Sequence, residues 1–181
     1  MSESPFSPPD YLVANRNCGS CVACCDILEI DDPQLKKPPH ILCPHSTGAA
    51  CGIYPARPQT CRTWYCLWRR IDAMPELLRP DKSRVVFSID QRIPERTPFE
   101  RNYIVARAMD GPADFERPQI KSVLEMFIVE GSLPVWISFG GNKRMIYPNP
   151  EFADAIVNPQ TTTRQSLVSA ARDWRKQYGM G

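Results

Sequence analysis

The chain has 181 residues, of which 43% are hydrophobic and 23% are charged, and its 22 basic and 20 acidic residues give a formal net charge of +2. This length suits one globular domain with a core of its own, and the near balance of charges excludes a whole-molecule field that would demand nucleic acid or acidic lipid as a partner. No apolar run reaches the length of a membrane-spanning helix, and the first ten residues lack the features of a signal peptide. We therefore expect a cytoplasmic protein with no membrane partner.

The chain order predicts three regions. Residues 1–16 are rich in proline and serine, which predicts an extended N-terminal arm. Residues 17–83 hold all the cysteines and are predicted to form a metal-binding module. Residues 84–181 are predicted to form an α+β body that packs with the module as one compact unit.

The elements predicted up to residue 109 are short. Prolines and an Asp-Asp-Pro turn disfavour long helices or strands before about residue 57. Pro58 suits a first helical position, and the absence of further Pro or Gly predicts one helix over residues 59–71. A short helical turn is predicted at 75–78, and two strands at 84–89 and 103–109 are predicted to pair.

The elements predicted after residue 109 complete an α+β fold class with antiparallel hairpins and two or three helices. Residues 118–130 place apolar side chains at helical spacing before Gly131, which predicts an amphipathic helix. Strands at 135–139 and 143–147 flank a three-residue Gly-Gly-Asn loop, which predicts a β-hairpin. A last helix is predicted between Thr162 and Gly179, where Thr162 and Gln165 form a capping box.

All eight cysteines fall in one quarter of the chain, and this clustering predicts a metal site. Disulfides require an oxidising compartment, and scattered buried thiols would not cluster at ligand spacing, so we disfavour both alternatives. The spacing i, i+3, i+6 of the first three cysteines is similar to a [4Fe–4S] loop more than to a zinc finger. The predicted metal ligands are Cys18, Cys21, Cys24, Cys25, Cys43, Cys51, Cys61 and Cys66.

The positions of neighbouring cysteines indicate two centres. Cys24 and Cys25 are adjacent, so their side chains diverge in most backbone conformations. Cys61 and Cys66 would lie about 140° apart around a helix, so they serve different centres unless the helix is bent. Cys61 is also predicted in a first helical turn, where the helix dipole favours a thiolate. Two zinc ions, one zinc with one cluster, and a bridged binuclear site all remain open.

Two further residue types in the cysteine window need a role. His40 and His45 offer nitrogen ligands, but with eight thiols available we expect neither to bind the metal directly. Four arginines among aromatic residues resemble a nucleic-acid surface, but metal-bound thiolates add negative charge that these arginines would offset. We favour charge compensation for them; the arginines are Arg57, Arg62, Arg69 and Arg70.

The cysteine pattern resembles a known family. The run CGSCVACC, followed by Cys43 and by CGIYPARPQTCR from Cys51 to Arg62, is similar to the CxxCxxCC family, also called YkgJ-type cysteine-cluster proteins. Cys66-Leu67-Trp68 and the run LRPDKS that ends at Ser83 look like one branch of it. The resemblance covers roughly residues 18–87 and implies a domain that chelates zinc or iron, without supplying an activity.

Three hypotheses follow for the function. The first is a metal-binding protein that chelates zinc or iron, with no assigned catalysis and no identified protein partner. The second is an iron–sulfur protein with a redox or protein-modifying role, and it rests on the i, i+3, i+6 spacing. Related modules occur in flagellin lysine N-methylases, but the chain has no glycine-rich methyl-donor loop, so that activity is not carried over. The third is a zinc-dependent nucleic-acid binder.

Overall fold

The computed structural model describes residues 11–148 and four helical residues near the end of the chain, Ser169, Arg172, Asp173 and Lys176. The chain divides into two compact units, residues 1–88 and residues 89–181. Helices and β-sheets both occur, so the predicted α+β class is confirmed. The first ten residues of the predicted arm lie outside the described residues, as does most of the predicted last helix with its capping box.

The first unit is built from short elements joined by turns, as its proline content predicts. Two three-residue strands pair antiparallel, β1 (Ile30–Asp32) with β2 (Leu35–Lys37). Its α-helices have four or five residues each: α1 (Ala23–Ile27), α2 (Gln59–Thr63), α3 (Leu67–Arg70) and α4 (Pro80–Ser83). The helical turn predicted at 75–78 is a 3-10 turn at Glu76–Leu78, and a second one occupies Tyr54–Ala56.

The single helix predicted over 59–71 is wrong. The chain leaves the helix at Trp64 (φ −91°, ψ 130°) and starts again after Cys66 (φ −66°, ψ 159°), which separates α2 from α3. No Pro or Gly causes this break. Leu67 and Trp68 become 1% and 4% exposed in α3, so tertiary burial outweighs continuation of the helix.

The remaining strands form a four-stranded sheet in the order β3-β4-β5-β6. Strands β4 and β5 are parallel, and β5 and β6 are antiparallel. The prediction of antiparallel hairpins therefore holds only in part, because a helix connects β4 to β5 and such a crossover returns the chain in the same direction. The elements are β3 (Val85–Asp90), β4 (Tyr103–Ala108), α5 (Pro118–Glu130), β5 (Val135–Phe139) and β6 (Asn142–Tyr147).

Helix α5 matches its prediction at both ends. Gly131 ends it in the left-handed conformation (φ 63°), and its backbone N–H donates to the Phe127 carbonyl at 3.0 Å. The apolar stripe is buried, through Ile120, Val123, Leu124 and Phe127. No helix in the described part of the chain is long and apolar enough to cross a membrane.

The predicted hairpin of β5 and β6 forms with a loop one residue shorter than expected. Gly140 (φ 58°) and Gly141 (φ 82°) occupy the two turn positions, where positive φ favours glycine. Asn142 pairs with Phe139 and therefore belongs to β6. The tight turn aligns the two strands without the predicted third loop residue.

Candidate functional site

The first two cysteines lie in a tight turn that leads into α1. The Cys21 backbone N–H donates to the Cys18 carbonyl at 2.8 Å, and Gly19 between them has a φ of 52°. Cys24 and Cys25 follow on α1 itself, where successive side chains point about 100° apart. The turn and the helix therefore place four thiols in one short segment, and the side chains of Cys24 and Cys25 point in different directions.

The loop that carries Cys43 and Cys51 is tied back to α1. The Cys43 backbone N–H donates to the Cys25 carbonyl at 2.8 Å, and Cys43 is only 6% exposed. Ser46 forms a β-bridge with Cys51, which closes the loop between the two cysteines. The backbone thus brings Cys43 and Cys51 to the same side of the unit as Cys25.

Helix α2, which carries Cys61, is anchored by a buried carboxylate. Asp32 at the end of β1 is 6% exposed and accepts hydrogen bonds from the backbone N–H (3.3 Å) and hydroxyl (3.0 Å) of Thr60. The Gln34 backbone N–H (3.0 Å) and then the Thr60 groups hold the pKa of Asp32 below its usual value. This contact fixes the position of Cys61 relative to the β1–β2 hairpin.

All eight cysteines are free thiols, and four of them share one neighbourhood. We call this group the first thiol set: Cys18, Cys21, Cys24 and Cys66. The pKa of Cys66 is raised to about 11, mainly by burial and also by the charges of Cys18 and Cys21. Burial also raises the pKa of Cys21, where Cys18 adds to the effect. Cys18 and Cys21 therefore lie close enough to both Cys66 and Cys24 to oppose their ionisation.

The other four thiols form a second neighbourhood. We call this group the second thiol set: Cys25, Cys43, Cys51 and Cys61. Burial raises the pKa of Cys61, and the charges of Cys25, Cys43 and Cys51 raise it in that order. Cys61 lies in the first turn of α2, as predicted, but burial and the neighbouring thiols raise its pKa.

A thiol–thiol hydrogen bond joins the two sets. It raises the pKa of Cys24 well above its usual value and lowers the pKa of Cys25, so Cys24 is the donor and Cys25 the acceptor. The positive charges of Lys37 and then Arg57 also favour the Cys25 thiolate. The adjacent cysteines thus belong to different sets but remain in contact.

Positive charges surround both sets. Arg69, Arg57 and Arg79 each lower the pKa of Cys18, in that order, against the larger effect of burial. Lys37 is 3% exposed, and its ammonium donates to the carbonyls of Asp26 (2.7 Å), Pro38 (2.9 Å) and Ile41 (2.6 Å). No motif in the sequence identified Lys37, because lysines in polar segments are usually exposed.

Two of the four arginines expected to compensate charge act on the thiols in this way. Arg57 and Arg69 act on the thiol sets, whereas the Arg62 Nε donates to the Arg57 carbonyl at 2.6 Å. Arg70 is exposed and lies over the Tyr11 ring, with its Cζ 5.3 Å from the centroid. Because Arg69 is only 7% exposed, its side chain is not available as a surface phosphate contact.

The run LRPDKS places an ion pair beside the first thiol set. Arg79 donates from Nε to Asp81 Oδ1 (2.7 Å) and from Nη2 to Asp81 Oδ2 (2.5 Å). The backbone N–H of Asp81 lowers the pKa of Cys21, with the larger opposing effect coming from burial. This segment therefore supplies both a hydrogen-bond donor and a charge pair next to Cys21.

The two histidines take different places in the loop around Cys43. His45 is exposed, and its carbonyl accepts the Gly52 backbone N–H at 2.8 Å. His40 has a left-handed backbone, with a φ of 59°. As positioned in residues 11–148, no three Cys, His, Asp or Glu side chains stand together in an arrangement that could hold a metal ion.

The chain was also compared with known proteins. No family model, no curated protein and no solved structure matches it.

Proposed function

We propose that this chain is a metal-binding protein that holds zinc or iron in two centres, one on the first thiol set and one on the second. The observation that supports this most is the division of eight thiols into two neighbourhoods of four. Four thiolates complete a tetrahedral zinc site and also suit a [4Fe–4S] cluster. The resemblance to the CxxCxxCC cysteine-cluster family implies the same chemistry.

Metal binding requires the thiols to reorient and to lose their protons. A zinc–sulfur bond is about 2.3 Å long, so four sulfurs must converge on one point. A change of staggered position about the Cα–Cβ bond moves a cysteine sulfur by about 3 Å, which needs no backbone movement. Because burial raises the pKa of Cys18, Cys21 and Cys66, these thiols keep their protons until a metal replaces them.

The role that we propose for the metal is structural. The helices of the first unit have four or five residues and its paired strands have three, so they bury little apolar surface by themselves. A filled four-thiolate centre would join the Cys18–Cys25 segment to α3, and the other would join α1, the Cys43–Cys51 loop and α2. The free energy of metal binding then contributes directly to folding.

The first experiment is the metal and acid-labile sulfide content of the full chain, purified without oxygen, together with an absorption spectrum. We expect two metal centres per chain. Zinc without sulfide or colour identifies structural chelation, and iron with matching sulfide and a broad visible band identifies a cluster. A chain that binds neither metal, even after anaerobic reconstitution, contradicts the proposal.

The division into two centres is tested by one substitution in each set. Cys21→Ser removes a ligand of the first centre, and Cys51→Ser removes a ligand of the second. Each variant should lose one of the two centres and keep the other. Ser20→Ala is the matched control, because Ser20 is exposed next to Cys21 and should leave both centres filled. If either cysteine variant keeps both centres, the assignment of that set is wrong.

A further inference from the structure

Arg69 is a buried cation with unused hydrogen-bond donors. Arg69 is 7% exposed, and its Nε and Nη1 atoms are buried with no hydrogen-bond partner. In the described part of the chain no carboxylate forms an ion pair with it. Burying a guanidinium in this way is unfavourable unless a negative charge lies beside it.

Three other buried or half-buried cations of this unit are satisfied by protein groups. Arg79 is held by the Asp81 carboxylate, and the Lys37 ammonium has three carbonyl acceptors. Arg16 likewise donates to four carbonyls. Arg69 differs from these three cations because neither a carboxylate nor a carbonyl accepts from its buried Nε and Nη1 among the described residues.

Arg69 lies beside the first thiol set. This residue lies in α3, three residues after Cys66, and its backbone N–H donates to the Cys66 carbonyl at 3.0 Å. Among the positive charges that lower the pKa of Cys18, that of Arg69 is the largest, and it also lowers the pKa of Cys66. The Tyr65 ring lies 5.9 Å from the guanidinium carbon.

We infer that Arg69 is the counter-charge and N–H donor for a dianionic tetrathiolate group held by the first thiol set. The inference rests on the proposed function. Four thiolates carry four negative charges, so a divalent ion, or a [4Fe–4S] core of charge +2, leaves two uncompensated. The unused Nε–H and Nη1–H of Arg69 donate to the thiolate sulfurs of that group. These hydrogen bonds hold the ligands in place, and the guanidinium charge offsets part of the negative charge of the group.

This role has opposite consequences in the two states of the protein. Without metal, no four-thiolate group lies beside Arg69, whose buried charge then has no partner, so replacing it by an apolar residue of similar length relieves a cost. With metal, the same replacement leaves a dianionic group without its donor. A purely structural arginine would instead stabilise both states.

The experiment uses the full chain, reconstituted with zinc under anaerobic conditions, and the variants Arg69→Met and Arg69→Gln. Zinc affinity is measured by competition with a chromogenic chelator, and the melting temperature is measured with and without zinc. In Arg69→Met we expect one of the two zinc ions to bind about 10- to 100-fold more weakly. The melting temperature should fall for the zinc-loaded form and should stay or rise for the metal-free form.

Two further variants identify the centre and control for charge. In a Cys51→Ser background only the first centre remains. There Arg69→Met should lower the affinity for the remaining zinc ion by the same factor. Arg70→Met removes a charge from the same helix at an exposed position and should leave both affinities unchanged. Arg69→Gln keeps one N–H donor group but no charge, so its zinc affinity should fall between those of the wild type and Arg69→Met. It also provides the test if the methionine variant does not fold.

Different failures have different meanings. Unchanged zinc affinity in both Arg69 variants, with a lower melting temperature in the metal-free state, would make Arg69 a structural residue and overturn the inference. Equal weakening of both zinc ions would also overturn it, because the effect would not be specific to the first thiol set. Absence of zinc or iron from the wild-type chain after reconstitution contradicts the proposed function itself.

Discussion

The ionisation of single thiols is controlled mainly by burial. Burial is the largest cause of the raised pKa of Cys18, Cys21, Cys61 and Cys66. Only the Cys25 thiol, which accepts the hydrogen bond from Cys24, has its pKa lowered among the cysteines whose shifts are resolved. A buried neutral thiol is stable where it lies, but it becomes a metal ligand only by exchanging its proton for a cation.

Cys66 gives a prediction for the pH dependence of stability in the metal-free protein. Its folded pKa is about 11 against a usual 9.0, so the unfolded chain loses this proton first. The neutral thiol therefore contributes stability below about pH 9 that is lost as the pH rises to about 11. We expect the unfolding free energy of wild type relative to Cys66→Ala to fall by about 2–3 kcal/mol across that range, as measured by urea unfolding under reducing conditions.

The zinc-loaded protein is the control for this effect. There the Cys66 proton has already been displaced, so the alkaline loss should vanish and stability should instead fall towards acid pH as protons compete with zinc. A wild-type advantage over Cys66→Ala that does not change between pH 9 and pH 11 in the metal-free state would contradict the raised pKa.

Between elements, the clearest long-range contact is made by Arg16. Its guanidinium donates to the carbonyls of Trp68 (2.6 Å) in α3 and of Ile71 (2.8 Å), Asp72 (2.9 Å) and Met74 (2.7 Å) after it. Its Cζ also lies 5.1 Å from the centre of the Trp68 ring. Residues 13–16 are thus held against the segment that ends α3, and α3 in turn carries Arg69.

Arg16→Lys should weaken this contact while keeping the charge. An ammonium has three donors without the planar fork, so it cannot satisfy four carbonyls spread over this turn. We expect the unfolding free energy of the first unit to fall by about 2–3 kcal/mol, measured by urea unfolding at neutral pH.

Arg70→Lys is the matched control for Arg16→Lys. Arg70 is exposed, and its interaction with the Tyr11 ring is open to solvent, so the change should stay within about 0.5 kcal/mol. Equal effects of the two substitutions would show that the four carbonyl contacts contribute no more than an exposed charge does.

At the scale of the molecule, the two units differ in the length of their helices and strands. The second unit has a 13-residue helix and strands whose core residues include Val105, Ala106 and Val135, each 0% exposed. The first unit has shorter elements and, under the proposed function, depends on its metal centres. Metal removal should therefore act on one unit first.

Hydrogen exchange of the full chain measures this difference. After treatment with a chelator under reducing conditions, amides of residues 18–66 should exchange at least about tenfold faster, because their local unfolding no longer releases metal. Amides of residues 103–108 and 135–147 should change by less than about twofold. The control is the same chelator already saturated with zinc. Equal acceleration of hydrogen exchange in both units would contradict a metal contribution to stability that is confined to the first unit.

Some features of this protein follow from its sequence alone. The apolar stripe before Gly131 determined α5 to the residue, and the Gly140–Gly141 pair determined the hairpin turn, because both patterns act through neighbours close in the chain. The α+β class and the short elements of the cysteine region followed from the spacing of prolines and apolar residues. The eight candidate ligands also followed from spacing, and their binding of metal stays a prediction.

The tertiary structure decided what depends on residues distant in sequence. The break between α2 and α3 arises from burial of Leu67 and Trp68, which no local signal encodes. The parallel pairing of β4 and β5 arises from where α5 returns the chain. The grouping of the thiols and the burial of Arg69 without a partner likewise arise from packing, because the charges and surfaces involved come from segments up to about 50 residues apart, and only the folded chain brings them together.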